Sequence, residues 1–391
     1  MRILRRVFDM GASDRSYEGI RAWAEIDLGA LAYNVTRLRA ILPVDCKLMA
    51  VVKADAYGHG ARGVAEGLSE AGVDAFAVAT LAEGIVVREC VPEGLILIMG
   101  YTPSCDAGLL KAHQLTQLVV DGAHATALDS AGCGLPVHIA VDTGMHRLGI
   151  EASNIHGIES ILNCKNLRVT GIATHLAASD SLDRDDVRFS NEQVKLFYAV
   201  IDELRGKGFE AGKLHIQASY GVLNLPELQC DYARVGIALY GVKSHNSGTA
   251  LTPPLRPVLS LRAMVAQVRW IGAGESVSYG RTYIADRPVK LATLCIGYCD
   301  GVPRQMSGNG GMCIIRGRKV PIIGRVCMDL IMADVTEVEE VEAGDVATII
   351  GRDGEEEIRC EDVAAASGTI SNDILCRLGS RLPRFYVKGE S

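Results

Sequence analysis

Between Lys47 and Gly241 short apolar runs alternate with helix-like stretches. Eight runs recur: KLMAVVKA (47–54), AFAVA (75–79), LILIMG (95–100), TQLVVD (116–121), VHIAVDT (137–143), VTGIATHL (169–176), LHIQAS (214–219) and ARVGIALYG (233–241). They are apolar blocks rather than alternations, the pattern of strands covered by helices on both faces. The clearest helical stretch is 186–208, where Val194, Phe197, Ile201 and Leu204 recur at three- and four-residue steps before a Gly-rich stop. Eight such units in about 200 residues predict a closed (β/α)8 barrel rather than an open doubly wound sheet.

After Pro253-Pro254 the pattern changes. VLSLRAMVAQVRWI, VKLATLCIG, MCIIRGRKVPIIGRV, LIMADVTEV and DVATIIG read as strands with Gly, Pro and charged turns between them, and IIRGRKVPII as a hairpin around Gly317-Arg318. The expected fold class is α/β plus β, an N-terminal (β/α)8 barrel followed by a smaller C-terminal β domain. The divisions expected are an arm or linker over 1–21, the barrel over 22–250 and the β domain over 251–391, with the break in the polar stretch SHNSGTALTPP. The early run AWAEIDL (22–28) reads as a strand able to join either domain and is placed here at the head of the barrel.

Composition narrows the function. The chain has 391 residues, 48% hydrophobic and 22% charged, enough apolar material for a large core, so intrinsic disorder is excluded. Its net charge of −7, with no basic block, argues against a nucleic-acid partner. Twelve cysteines fall without a C-x-x-C pair, and Cys295 and Cys299 are expected to share a strand face. No metal site is indicated, and buried free thiols in a reducing, cytoplasmic setting are expected. No apolar run reaches the ~18 residues of a membrane span.

Reactive groups in such barrels collect at the C-terminal ends of the strands. Lys53 stands there, before the turn ADAYGHG. Burial would lower its pKa and make it a nucleophile or base, whereas a lysine snorkelling from the barrel mouth would do neither. Tyr57, in the following turn, could offer a hydroxyl beside backbone N–H groups, or simply pack.

AVVKADAYGHG (50–60) resembles the pyridoxal-phosphate lysine motif of alanine racemases. WAEIDL (23–28), VDTGMHRLGI (141–150), ATHLAASD (173–180), ARVGIALYG (233–241), VSYGRTY (277–283), IGYCDG (296–301), GRVCMD (324–329) and RLPR (381–384) resemble further segments of that family, in order. The resemblance implies a homodimer with shared active sites, each completed by the other copy's β domain, acting on a small amino acid. It implies that Lys53 bonds to the aldehyde of pyridoxal 5'-phosphate. Tyr57, Ser219, Gly236 and Ile237 would hold the phosphate, and Arg234 would face the pyridine nitrogen. A guanidinium cannot accept a proton and has none to spare, so the ring nitrogen stays unprotonated, which favours reprotonation at Cα over transamination.

The same resemblance makes Lys53 the base on the D face and Tyr279, from the other subunit, the base on the L face. Tyrosine ordinarily ionises near pH 10, so His175 and Arg234 are expected to relay charge to it. Arg147 would bind the substrate carboxylate and the cofactor's phenolic oxygen. Met328 would add a backbone contact, and Tyr283 and Tyr298 would line the way in.

Three positions depart from the family pattern. Ala140 stands where many members carry a carbamylated lysine that steadies the substrate arginine, so Arg147 needs another support. Ala218 replaces the usual asparagine before the phosphate serine. Asn372 replaces a tyrosine beside the pocket, exchanging ring volume for a short donor and acceptor. A substrate hydroxymethyl group would use both, so L-serine is expected beside L-alanine. This resembles the serine/alanine racemases of vancomycin resistance, isomerases that supply D-serine for cell-wall precursors and in which a membrane domain precedes the racemase. MRILRR would then be a juxtamembrane linker and the chain the cytoplasmic domain of a longer, membrane-anchored parent, or those residues a mere leading remnant. The competing readings are an ordinary biosynthetic alanine racemase, a decarboxylase of basic amino acids (disfavoured by Arg234), and a non-enzymatic pyridoxal-phosphate carrier resembling the barrel alone.

Overall fold

The computed structural model describes residues 19–388. The expected linker segment MRILRR lies outside them. Each of the eight apolar runs overlaps a barrel strand, the last four strands beginning one or two residues earlier than their runs: Lys47–Val51, Ala75–Val78, Leu95–Ile98, Thr116–Val119, Leu135–Asp142, Leu167–Ala173, Lys213–His215 and Tyr232–Val235. Neighbours pair in parallel, and Tyr232–Val235 returns to pair with Lys47–Val51. The remaining seam, between the seventh and eighth strands, is closed outside a regular ladder. There Asp231 N donates to Leu214 O at 2.8 Å and Arg234 N to Gln217 O at 3.0 Å. The long helix runs Arg184–Gly206, with Phe197, Ile201 and Leu204 buried.

The second sheet runs in the order Arg318–Pro321, Met312–Ile315, Val346–Asp353, Leu259–Ile271, Ala22–Asp27, Arg384–Val387. Ala22–Asp27 lies antiparallel to Leu259–Ile271 and parallel to Arg384–Val387, so it belongs to the β domain rather than to the head of the barrel. An apolar run announces that a strand will be buried; it carries nothing about which edge will pair with it. The hairpin forms with Ile315 opposite Arg318, placing its turn at Arg316-Gly317, one residue earlier than expected. Both turn residues have positive φ, as a two-residue primed turn requires.

Cys295 and Cys299 do not share a strand face. The strand Val289–Leu294 ends first, and Cys299 lies exposed in the tight turn Tyr298–Asp300, closed by Asp300 accepting from Gly297 N at 2.9 Å. All twelve cysteines are free thiols, but only Cys46, Cys313 and Cys360 are buried. Among the described residues no helix is long and apolar enough to cross a membrane.

The two domains meet at the turn after Lys53. Arg384 donates to the Gly58 carbonyl at 3.1 Å through Nη2, and the Tyr386 hydroxyl donates to the Gly60 carbonyl at 3.2 Å. Gly58 (φ 76°) sits so close to the helix Ser371–Cys376 that a Cβ there would fall 2.1 Å from the Leu375 carbonyl oxygen. That contact seats Asn372 over the barrel mouth.

Candidate active site

A cavity of about 490 Å³ opens at the C-terminal ends of the barrel strands. Lys53, Tyr57, Arg147, His175, Ser219, Arg234, Gly236, Ile237 and Asn372 all line it, as do Ala140 and Ala218. Tyr279, Tyr298 and Met328 are not on its wall in the same chain. They lie on the β domain, 72%, 42% and 51% exposed. Their three segments are nevertheless gathered into one patch. Ser278 Oγ donates to Arg325 O at 2.7 Å, Tyr298 N to Cys327 O at 2.9 Å and Cys299 N to Met328 O at 3.0 Å.

Lys53 leads into a left-handed helical turn. Ala54, Asp55, Ala56 and Tyr57 have φ of 53°, 53°, 53° and 52°, each costing an L-residue roughly 1–2 kcal/mol. Neighbours over-determine the conformation. Glu83 Oε1 accepts from Ala54 N at 2.7 Å, and Asp55 Oδ1 accepts from Ala61 N at 2.7 Å. The other Glu83 oxygen accepts from Ala79 N at 2.7 Å and closes a capping box with Thr80. Glu83 thus fastens the first two strand ends together. The T-x-x-E spacing at Thr80–Glu83 signals the cap, but not the reach to Ala54.

Burial and the nearby Arg147 guanidinium hold the Lys53 amine below the usual lysine range. At the other end of the cavity Ser219 Oγ accepts from Gly236 N at 3.0 Å and Ala238 N at 3.3 Å. Tyr57 presses against Gly236, where a Cβ would lie 2.5 Å from its hydroxyl oxygen, so only glycine fits. Burial pushes that phenol well above its ordinary value, and it stays protonated as a donor.

Arg234 is buried without a carboxylate partner among the described residues. Its Nη1 donates to His215 Nδ1 at 2.7 Å and to His215 O at 2.8 Å. Its Nη2 reaches Thr174 O at 2.7 Å, Ile216 O at 3.1 Å and His175 Nδ1 at 3.2 Å. A guanidinium only donates, so both imidazoles accept at Nδ1 and carry their protons on Nε2. Burial, then Arg234, Arg147 and Lys53, push His175 down to about 3, so it is neutral at physiological pH. His215 has no counterpart in the sequence-level site. Its signal was a histidine inside the apolar run LHIQAS, which reads equally as a packed core residue.

Arg147 has no hydrogen-bond partner among the described residues, and Ala140, which lines the same cavity, offers only a methyl group. Asn372 Oδ1 is buried without a partner.

Fold and site together define a pyridoxal-phosphate-binding barrel enzyme with an appended β domain. The alanine racemase N-terminal domain family matches residues 26–244 and the alanine racemase C-terminal domain family residues 258–386. The chain belongs to the alanine racemase family. It is 41% identical over 363 residues to an amino-acid racemase of Enterococcus faecalis, covering 93% of this chain and 51% of that protein. It is 37% identical to a serine/alanine racemase of Enterococcus gallinarum with the same coverage, so the chain spans about half the length of these relatives. An alanine racemase of Carboxydothermus hydrogenoformans is 38% identical over 93% of this chain and 99% of its own. The solved alanine racemase of Bacillus anthracis, described with bound L-Ala-P, superposes with a TM-score of 0.88 at 32% identity over 95% of this chain and 96% of its own. That of Bartonella henselae, described with covalently bound pyridoxal phosphate, gives 0.84 at 30% over 94% and 99%.

The family is pyridoxal-phosphate-dependent, and this cavity fits the group. It offers an amine of lowered basicity at Lys53. The Ser219 hydroxyl already accepts from two N–H groups and keeps its own proton for a third partner. Arg234 Nε has no partner among the described residues, which leaves it as the donor for a ring nitrogen.

Proposed function

We propose that this chain is the racemase portion of a serine/alanine racemase, interconverting the L and D forms of both amino acids by a two-base mechanism. The observation that carries the serine assignment is Asn372. Its amide oxygen is buried without a partner on the wall of the cavity that holds Lys53, and a serine hydroxyl donating to it would satisfy it. A methyl group would leave it orphaned, at a cost of roughly 1–3 kcal/mol.

Pyridoxal phosphate, when bound, draws electrons from the substrate Cα–H bond and so makes that hydrogen acidic. The protein supplies the two proton carriers and the orientation. Lys53 holds or removes the proton on one face, its depressed pKa keeping a usable fraction of neutral amine. Tyr279 of a second copy serves the opposite face, consistent with its exposure in a single chain. Arg234 holds neutral His175 in the tautomer that carries its proton on Nε2, so this side chain would have a donor to offer that phenolic oxygen. Arg147 binds the carboxylate, with Met328 and Tyr298 of the second copy beside it. A homodimer is therefore the working unit. The products would feed D-amino acids into cell-wall precursors of the vancomycin-resistance type, in the cytoplasm. The greater length of the Enterococcus relatives is compatible with the reading of this chain as one part of a longer parent.

The second reading is an ordinary alanine racemase, favoured by relatives of that name at comparable identity over their full length. Asn372→Tyr separates the two. Serine turnover relative to alanine should fall at least about tenfold in this variant, since one unpaired polar contact shifts discrimination by that much. An unchanged ratio removes the serine assignment.

A further inference from the structure

A second cavity, of about 470 Å³, lies at the opposite, N-terminal mouth of the barrel. Its wall includes Leu95, Thr116, Lys213 and Tyr232, each the first residue of its strand. Lys111, Arg168 and Lys213 contribute positive charge, and no aspartate or glutamate lines it, in a chain whose net charge is −7. Lys213 shares its charge with Asp231 at 2.8 Å; Lys111 and Arg168 have no carboxylate partner among the described residues.

The cavity also holds a buried donor. His138 is 1% exposed, and its Nδ1 lies 2.7 Å from His215 Nε2. Because Arg234 forces the His215 proton onto Nε2, His215 donates to His138 Nδ1. Neutral His138, a residue that lines this cavity, must then carry its own proton on Nε2, an atom with no hydrogen-bond partner among the described residues. The polarity of the chain Arg234–His215–His138 is thus set from one end of the barrel to the other.

We propose that this second cavity binds a phosphate-class oxyanion, and that its occupancy is transmitted through His138 and His215 to Arg234. The Arg168 guanidinium and the Lys111 ammonium supply charge-assisted bonds, and His138 Nε2–H supplies the buried contact that an exposed basic patch lacks. An anion accepting that N–H makes His138 Nδ1 a stronger acceptor, and the effect passes along the chain, since linked hydrogen bonds polarise one another. The transmission rests on Arg234 facing the cofactor's ring nitrogen; the binding does not.

The test uses the cofactor-loaded protein at constant ionic strength, titrated with inorganic phosphate in one arm and glycerol phosphate in another. Calorimetry reads binding and the cofactor's absorption band reads transmission. Saturable binding is expected, with one arm stronger according to whether the free or the esterified anion is the ligand. Combined Lys111→Ala and Arg168→Ala should weaken it about tenfold or more. The band should move with saturation in the unaltered protein and fall silent in His138→Phe and His138→Asn. No saturable heat, or heat unchanged in the double variant, overturns the site. A band that ignores bound phosphate, or still responds without His138, overturns the transmission. A racemisation assay without phosphate keeps failure of the proposed activity separate from either result.

Discussion

The Ser219 hydroxyl oxygen lies 3.0 Å from the Gly236 backbone nitrogen and accepts its hydrogen, binding the turns that follow the seventh and eighth barrel strands. The hydroxyl proton is left over, aimed by two N–H groups that fix the oxygen. Ser219→Ala removes both the acceptor and that donor. Affinity for pyridoxal phosphate should fall about tenfold, the worth of one hydrogen bond to a charged group. Absorbance titration of the cofactor-free protein measures this, and an unaltered dissociation constant would contradict the role.

Placing Lys53 in one chain and Tyr279 in another makes a prediction about mixtures. Lys53→Ala and Tyr279→Phe should each be inactive in racemisation alone, Lys53→Ala failing to exchange the α-hydrogen of the D enantiomer with heavy water and Tyr279→Phe that of the L enantiomer. Co-refolded in equal amounts, they should recover about a quarter of normal activity, because half the dimers are mixed and each has one intact site. A mixture as inactive as its parents would show that one chain supplies both bases. Undiminished exchange in both single variants would remove the two-base scheme itself.

His59 is wholly buried and pushed down to about 4 from an ordinary 6.5, chiefly by burial. Between those values the unfolded chain binds a proton that the folded chain refuses. Its contribution is therefore present above pH 6.5 and lost as the pH falls toward 4, by about 2 kcal/mol between pH 7 and pH 5. Denaturant unfolding at a series of pH values should show a shallower acid decline for His59→Gln than for the unaltered protein. Parallel curves would assign the acid sensitivity elsewhere.

The left-handed turn at Ala54–Tyr57 gives a fourth prediction. Ala54 is exposed and carries φ of 53°, so Ala54→Gly should stabilise the fold by about 0.5 kcal/mol, the relieved strain less the extra chain entropy. Ala54→Val should destabilise it by more than about 1 kcal/mol, because a β-branched side chain tolerates that backbone poorly. Thermal unfolding should rank the three residues in the order Gly, Ala, Val.

Much of the site was legible beforehand because it is written at strand ends. Lys53, His175, Ser219 and Arg234 stand in or just after an apolar run, and parallel strands in a barrel bring such positions to one mouth. The strand Ala22–Asp27 was legible as a strand but not as a member of the second sheet, since either sheet would have buried it. Glu83, His215 and His138 were not legible as parts of a site. Each reads locally as a cap or a core residue, and each acquires its role from an atom on another element.

The order of apolar runs and turns determined by itself that eight strands would form and which chemical groups would stand at or just after their ends. Period and burial are local properties, and a single chain displays them. Tertiary structure alone decided that His138 meets His215 across 77 residues, that Arg234 dictates their tautomers, that the amide oxygen of Asn372 is buried without a donor, and that Tyr279 faces outward. Hydrogen-bond partners so distant in sequence are selected by register and closure, to which hydrophobic periodicity is blind.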